Sequence, residues 1–459
     1  MLKLFVAFFL MQHPSDSLQH RTVTIKEISF EGNKKTKSYI LSRELVFHAG
    51  DTVNLVDLNA KTERSRQNLM NTELFTFVYS SIERPDSNTV KIHYTFKEGW
   101  YTWPAPIFEL VDRNFNEWYR TKDLSRTNIG LYVTQYNVRG RNETFNVGLR
   151  AGYTESYDLQ YTFPWINKKQ TLGLTAAFSS SRNHETVYNT NKNRLVFFKD
   201  DQGFTRNNQS TSIRLSYRKG LYESHFFKLG YTHFQVVDEI LKLNPLYFPI
   251  SGNVAEYLFF SYLYKVDYKD YKPYPLVGRY LDFEVQKVGL GLFNKGINEL
   301  FLSLNVKRYW HLKGLFYYAA GFTEKVGFVE KQSYYNQESI GYADYPRGYE
   351  YYVINGQNYH LLQTNLKYNL LPTKVIRLKY IPLEKFRTIP NALFVNLFTD
   401  MGYVKDNYFY TRNPLANKFL LGYGIGVDYV TYYSSTLQFD YSFNLLGESG
   451  FFLHFTIAI

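Results

Sequence analysis

The residues best suited to a specific polar interaction are Pro346, Arg347, Gly348 and Tyr349, followed by Glu350, Tyr351, Tyr352 and Gly356. They lie within Val326–Asn358, too long for a strand and read as a major loop. Further along, Leu393, Val395 and Leu397 fall on one face of a strand and Asn396, Phe398 and Asp400 on the other. If the aliphatic face meets an apolar environment, Asp400 points inward. A guanidinium in a partly dry interior needs an acidic or hydrogen-bonding partner. Asp400 is therefore the candidate partner of Arg347, and Gly348 allows a close backbone approach. This is charge pairing rather than catalysis. Neither a P-loop nor Gly-x-Ser-x-Gly nor His-Glu-x-x-His occurs, and no Ser, His and carboxylate set stands out among the 10 His. With no Cys there is no disulfide framework and no thiolate metal site. The chain is read as a non-enzyme without cofactor or metal.

The elements that must hold these residues follow from composition. Aromatics make up 19% of the 459 residues, with 43 Tyr and 38 Phe, while the mean hydropathy of -0.36 is mildly polar. Apolar and polar residues alternating along strands with one face to lipid and one to water produce that combination. Tyr suits both membrane interfaces. No apolar run is long enough for a transmembrane helix. Leu4–Met11, after Lys3 and before His13 and Pro14, reads as a secretory signal within residues 1–18, with a buried N-terminal strand as the other reading. The formal charge of +12 is scattered, without a nucleic-acid recognition motif, and suits anionic headgroups and a polar lumen.

Residues 21–99 read as a small α+β unit. A strand ends in Ile28–Phe30, Thr36 sits where a helix N-cap is wanted, and that helix carries Ile40, Leu41 and Leu45. A second helix presents Leu55, Leu58, Thr62, Ser65 and Leu69 on one face. Of the two closing strands, the last alternates Val90, Ile92, Tyr94 and Phe96 with polar residues. Residues 100–127, with Trp100, Trp103, Pro104 and Pro106, read as a linker. From 128 to 459 the chain repeats alternating segments of roughly ten residues, the length of a tilted membrane-spanning strand. Counting from Ile129 gives about 16, with the weakest assignments at Asn183–Gln209 and Lys374–Pro390. A soluble sandwich has the same period of two. Strand length, aromatic strand ends and the alternating terminus Phe451–Ile459 favour a transmembrane antiparallel β-barrel.

The order strand, helix, helix, strand, strand, with Gly-Asn after the first strand and Gly-Asp between the helices, resembles a POTRA domain, the periplasmic module of the Omp85 superfamily. Arg347, Gly348 and Tyr349, in the long loop before the fifth strand from the end, resemble that superfamily's Arg-Gly-Phe/Tyr loop, which folds into the lumen. Phe163–Trp165 resembles its Asp-Pro-Trp strand end, Asn137–Arg141 its first hairpin and Phe398–Gly402 its Phe-x-Asp-x-Gly strand. Leu437–Phe443 resembles its Arg-x-Asp-Tyr strand, with Gln438 in the basic position. The resemblance implies a bacterial outer-membrane barrel with one periplasmic POTRA-like domain. Where many members carry a second carboxylate for the loop, this chain has Asn365.

It further implies that unfolded client polypeptides add to the POTRA sheet edge and then meet the barrel seam. That seam is expected between a first strand bearing Ile129, Leu131 and Val133 and a last bearing Phe455, Ile457 and Ile459. Assembly or insertion of outer-membrane proteins, translocation of a secreted partner as in two-partner secretion, and a passive porin are the competing functions. Partners would be clients, outer-membrane lipids, and accessory subunits or periplasmic chaperones, with no nucleic acid.

Overall fold

The computed structural model describes residues 21–110 and 127–457, apart from 201, 295, 330–332, 338, 378–379, 381–386 and 432–434. The expected signal at 1–18 and the terminal Ile459 lie outside the described residues. Two compact units meet at Gly99 and Trp100.

In the first unit β1 (Thr22–Glu31), β2 (Thr52–Asn54), β3 (Phe75–Glu83) and β4 (Thr89–Glu98) form a sheet of order β2-β1-β4-β3. β1 and β4 run parallel in its middle. Helices α1 (Ser38–Ser42) and α2 (Leu55–Met70) cover it. The face read from spacing is the buried one, since Leu58, Thr62, Ser65 and Leu69 are buried. Ile25, Ile40, Val90, Ile92 and Tyr94 complete the core. Burial raises the Tyr94 phenol pKa above its ordinary range.

Two local expectations change. α1 stops at Ser42, so Leu45 is buried outside it. Thr36 is not the cap of α1, because Lys37 occupies that position without a side-chain hydrogen bond. The Thr36 hydroxyl instead donates to Glu98, whose carboxylate also accepts from the backbone N–H groups of Lys35 and Thr36 at 2.8–3.2 Å. This carboxylate ties the β1–α1 turn to the end of β4. Glu98→Ala is expected to destabilise that turn by about 2 kcal/mol, as loss of hydrogen bonds to a charged acceptor does. Amide hydrogen exchange across Lys34–Ser38 in the full chain would show it as lost protection.

The second unit is a sixteen-stranded antiparallel sheet. Its strands are β5 (Thr102–Leu110), β6 (Thr127–Val138), β7 (Glu143–Gly152), β8 (Thr154–Phe163), β9 (Leu172–Asn183), β12 (Arg206–Lys219), β13 (Glu223–Val236) and β14 (Val254–Lys269). They continue with β15 (Gly278–Val288), β16 (Glu299–His311), β17 (Phe316–Val329), β18 (Asn358–Arg377), β19 (Thr388–Lys405), β20 (Phe419–Val430), β21 (Ser435–Asn444) and β22 (Ser449–Ile457). A separate hairpin, β10 (Glu185–Asn191) with β11 (Arg194–Lys199), stands outside the sheet.

The sixteen strands are not those counted from the sequence. Thr102–Leu110, read as linker because of its prolines, is the first strand of the sheet. Within Asn183–Gln209, between the end of β9 and the start of β12, the chain makes the extra hairpin rather than a further wall strand. β17 also runs to Val329, shortening the long loop.

Successive residues alternate between two environments. Leu397, Ile425, Tyr441 and Phe451 lie side by side on β19 to β22 and are exposed, as an outward apolar band requires. Asn396, Asp400, Asp428 and Asp440 on the opposite face are buried. The sheet curls into a barrel. Tyr274, between β14 and β15, reaches Asp428 on β20, and Asn193 at the tip of the β10–β11 hairpin reaches Asn413 and Leu415 between β19 and β20. We call the end where β5 begins the entry end. The long loops, including those that carry Asn193 and Arg347, lie at the far end.

Candidate functional site

Arg347 and Asp400 meet inside the barrel. Asp400, on the inward face of β19, is fully buried. Its Oδ1 accepts from Arg347 Nη2 at 2.7 Å, and its Oδ2 accepts from Nε at 2.8 Å and from the backbone N–H at 3.0 Å. This is a bidentate charge-assisted pair, the geometry in which a guanidinium is bound most strongly. Phe398, two residues earlier on the same face, lies under the guanidinium at 3.8 Å from ring centroid to Cζ. The remaining Nη2 donor reaches the Thr364 carbonyl on β18 at 3.2 Å.

Asn365 does not serve as a second anchor. It faces the lumen opposite Phe398, and its buried side-chain oxygen has no hydrogen-bond partner among the described residues.

The wall is shaped to admit the loop. Gly348 has φ +91°, a conformation glycine adopts without strain. A Cβ on Gly422 of β20 would sit 1.7 Å from the Arg347 carbonyl oxygen. The alternation of Gly422, Gly424 and Gly426 along β20 thus clears the lumen face where the loop lies. Asn444 on β21 donates to the Gly348 carbonyl at 2.8 Å, and Tyr352 donates to Glu448 in the β21–β22 turn at 2.7 Å. Tyr349 is buried against Leu415 and Leu420.

Sequence reading missed the rest of the cluster. Asp428 of β20 accepts from Tyr274 at 2.6 Å and Asn396 at 3.0 Å, and lies 3.6 Å from Lys367 Nζ of β18. Asp440 of β21 and His454 of β22 face the same cavity of about 420 Å³, which Arg347, Gln363, Asn365, Lys367 and Gln438 also line. The signal was present in the alternation, since Asp428 and Asp440 are the polar members of strands whose other face is apolar. Asp400, Asp428 and Asp440 therefore lie around Arg347 and Lys367, the last two on strands after β19.

The seam also differs from expectation. Because β5 pairs with β6, Ile129, Leu131 and Val133 belong to the second strand, and the sheet order ends on β5 and β22. Ile129 and Leu131 are exposed on its outward face. Phe455 and Ile457 do lie on the terminal strand β22. The edge of β5 can be read from one bond. Tyr136 N–H donates to the Tyr101 carbonyl at 2.7 Å, so the backbone of Tyr101 and each second residue after it points toward β6. The backbones of Thr102, Pro104, Pro106, Phe108 and Leu110 then point away from β6, to the outer edge. Two of those five positions have no N–H. On β22 the Asn444 to Glu448 bond likewise turns the backbones of Ser449, Phe451, Leu453, Phe455 and Ile457 outward.

Among the described residues the lumen is crossed by the turn holding Tyr274 at the entry end, by the Arg347 loop in the middle, and by the β10–β11 hairpin at the far end. Asn193 at the hairpin tip donates to the Val353 carbonyl, accepts from the Val353 and Leu415 N–H groups, and pairs its own N–H with Asn413.

Residues 23–99 match the POTRA family, described as a surface antigen variable number repeat. The chain thus joins a POTRA domain, residues 23–99, to a sixteen-stranded barrel. Among solved structures it is similar to BamA from Haemophilus ducreyi lacking POTRA domains 1-3, at 16% identity and a TM-score of 0.51, covering 94% of this chain and 83% of that one. It is also similar to CdiB from Escherichia coli, at 12% identity and a TM-score of 0.56, covering 94% and 75%. At these identities the likeness is one of fold. No curated protein sequence matches the chain.

Proposed function

We propose that the chain is an outer-membrane assembly factor without enzymatic activity, its POTRA domain in the periplasm, that inserts client polypeptides through the seam between β5 and β22. The observation that carries this reading is the edge of β5. Proline is confined to sheet edges because it cannot donate to a ladder. Pro104 and Pro106 both place the missing N–H on the seam side, which limits how many bonds β22 can make there. A client strand bringing its own apolar face to this edge gains burial and backbone pairing without nucleotide chemistry.

The crossed lumen favours a lateral route over passage along the axis, which counts against a passive porin. Translocation as in two-partner secretion is the second reading, kept because the fold is shared with CdiB as well as BamA. Pro104→Thr with Pro106→Thr restores both donors at the seam. The double variant should fold, unfold at higher denaturant because each restored ladder bond adds about 1 kcal/mol, and fail to replace the native protein in cells. Full complementation by a variant with a strengthened seam would contradict lateral insertion.

A further inference from the structure

The outward face of the barrel carries a pair of arginines. Lys307 and Tyr309 of β16 line the lumen cavity, so Arg308 between them faces outward, and so does Trp310. Arg308 stands directly opposite Arg279 of β15, which stands opposite Tyr268 of β14. Neither arginine has a carboxylate partner among the described residues. Like charges facing each other across an antiparallel pair are destabilising. Here no carboxylate among the described residues offsets that repulsion.

The surroundings fit one kind of anion. Arg279 lies over the Tyr268 ring at 5.9 Å and Arg308 over the Trp310 ring at 6.0 Å. Trp310 and Tyr318 stack at 5.6 Å. Tyr268, Val277, Arg279, Arg308, Trp310 and His311 line an open groove of about 460 Å³. The next outward pairs toward mid-sheet are Leu281 with Val306 and Phe283 with Leu304. The arginines therefore sit one step below the apolar band, at the entry-end rim. That is the level of headgroups, where Trp and Tyr gather, and a planar guanidinium matches phosphate oxygens bidentately.

On the reading that the barrel spans an outer membrane, we propose that Arg279 and Arg308 clamp the phosphate of an anionic glycerophospholipid in the periplasmic leaflet. Its acyl chains would lie along the Leu281 and Val306 band. Loss of both guanidiniums should weaken headgroup binding at least roughly tenfold, since each basic residue at a membrane surface contributes on the order of a factor of five.

The test is native mass spectrometry of the full chain released from micelles containing equal phosphatidylglycerol and phosphatidylcholine, comparing the native protein with R279Q/R308Q. K219Q/K313Q, which removes the same charge from exposed entry-end positions, is the control. The expected result is one retained phosphatidylglycerol in the native protein and the control, lost in R279Q/R308Q. Equal loss in both double variants, equal retention of phosphatidylcholine, or displacement of the lipid by inorganic phosphate would overturn the proposal. Incorporation of each variant into vesicles, read from heat-modifiable electrophoretic mobility, separates the two levels. A chain that never enters vesicles sinks the membrane reading and the site together. One that enters without headgroup preference sinks only the site.

Discussion

Asp400→Ala is expected to destabilise the folded barrel by about 3–5 kcal/mol, the cost of leaving a largely desolvated guanidinium without its carboxylate. The carboxylate accepts three hydrogen bonds from Arg347 and is fully buried, so water cannot replace it cheaply. Asp400→Asn, which keeps the shape and loses the charge, should cost nearly as much. Arg347→Ala removes the other half and strands Asp400. The double variant should then be more stable than the sum of the single effects implies, by about 2 kcal/mol of coupling. Denaturant unfolding of the barrel in lipid vesicles measures all four forms, and additive effects would mean that the pair does not hold the loop.

Gly422→Ala is the second large effect, and it acts through space rather than charge. Its Cβ would overlap the Arg347 carbonyl at 1.7 Å, and the obstructing atom is backbone. Either β20 or the loop must move, and the loop is the part held by side-chain contacts. We expect a folded barrel with an expelled loop, destabilised by about 1–3 kcal/mol and cleaved by protease within residues 340–357 at least roughly tenfold faster, because exposure follows the opening equilibrium. Gly321→Ala is the control, since its nearest neighbour is the flexible Lys307 side chain at 3.3 Å. Equal protection of both variants would contradict the tight seating of the loop.

The pairing of Arg347 with Asp400 was legible because two independent signals agreed. One was the resemblance of the Arg347 segment to a loop that folds into the lumen, the other an acid on the polar face of an alternating strand. The POTRA core was legible for the same reason, since the spacing in α2 and the alternation in β4 each mark one buried face. The first strand was not. Pro104 and Pro106 break a central-strand pattern, and only the pairing with β6 shows them to be edge residues whose missing donors face outward. Asp428 and Asp440 were hidden among many alternating polar residues. A lumen acid becomes special only when the curl of the sheet brings Lys367, Tyr274 and the Arg347 loop to it. The β10–β11 hairpin has the same period of two as a wall strand, so periodicity could not place it outside the wall.

Depletion of the protein followed by quantitative proteomics of the outer membrane tests insertion most directly. Insertion through the seam predicts a broad loss of β-barrel proteins from that membrane, with rescue by the native chain and not by the double proline variant. Loss of a single secreted protein with the barrel complement intact would contradict it and make the chain a translocator.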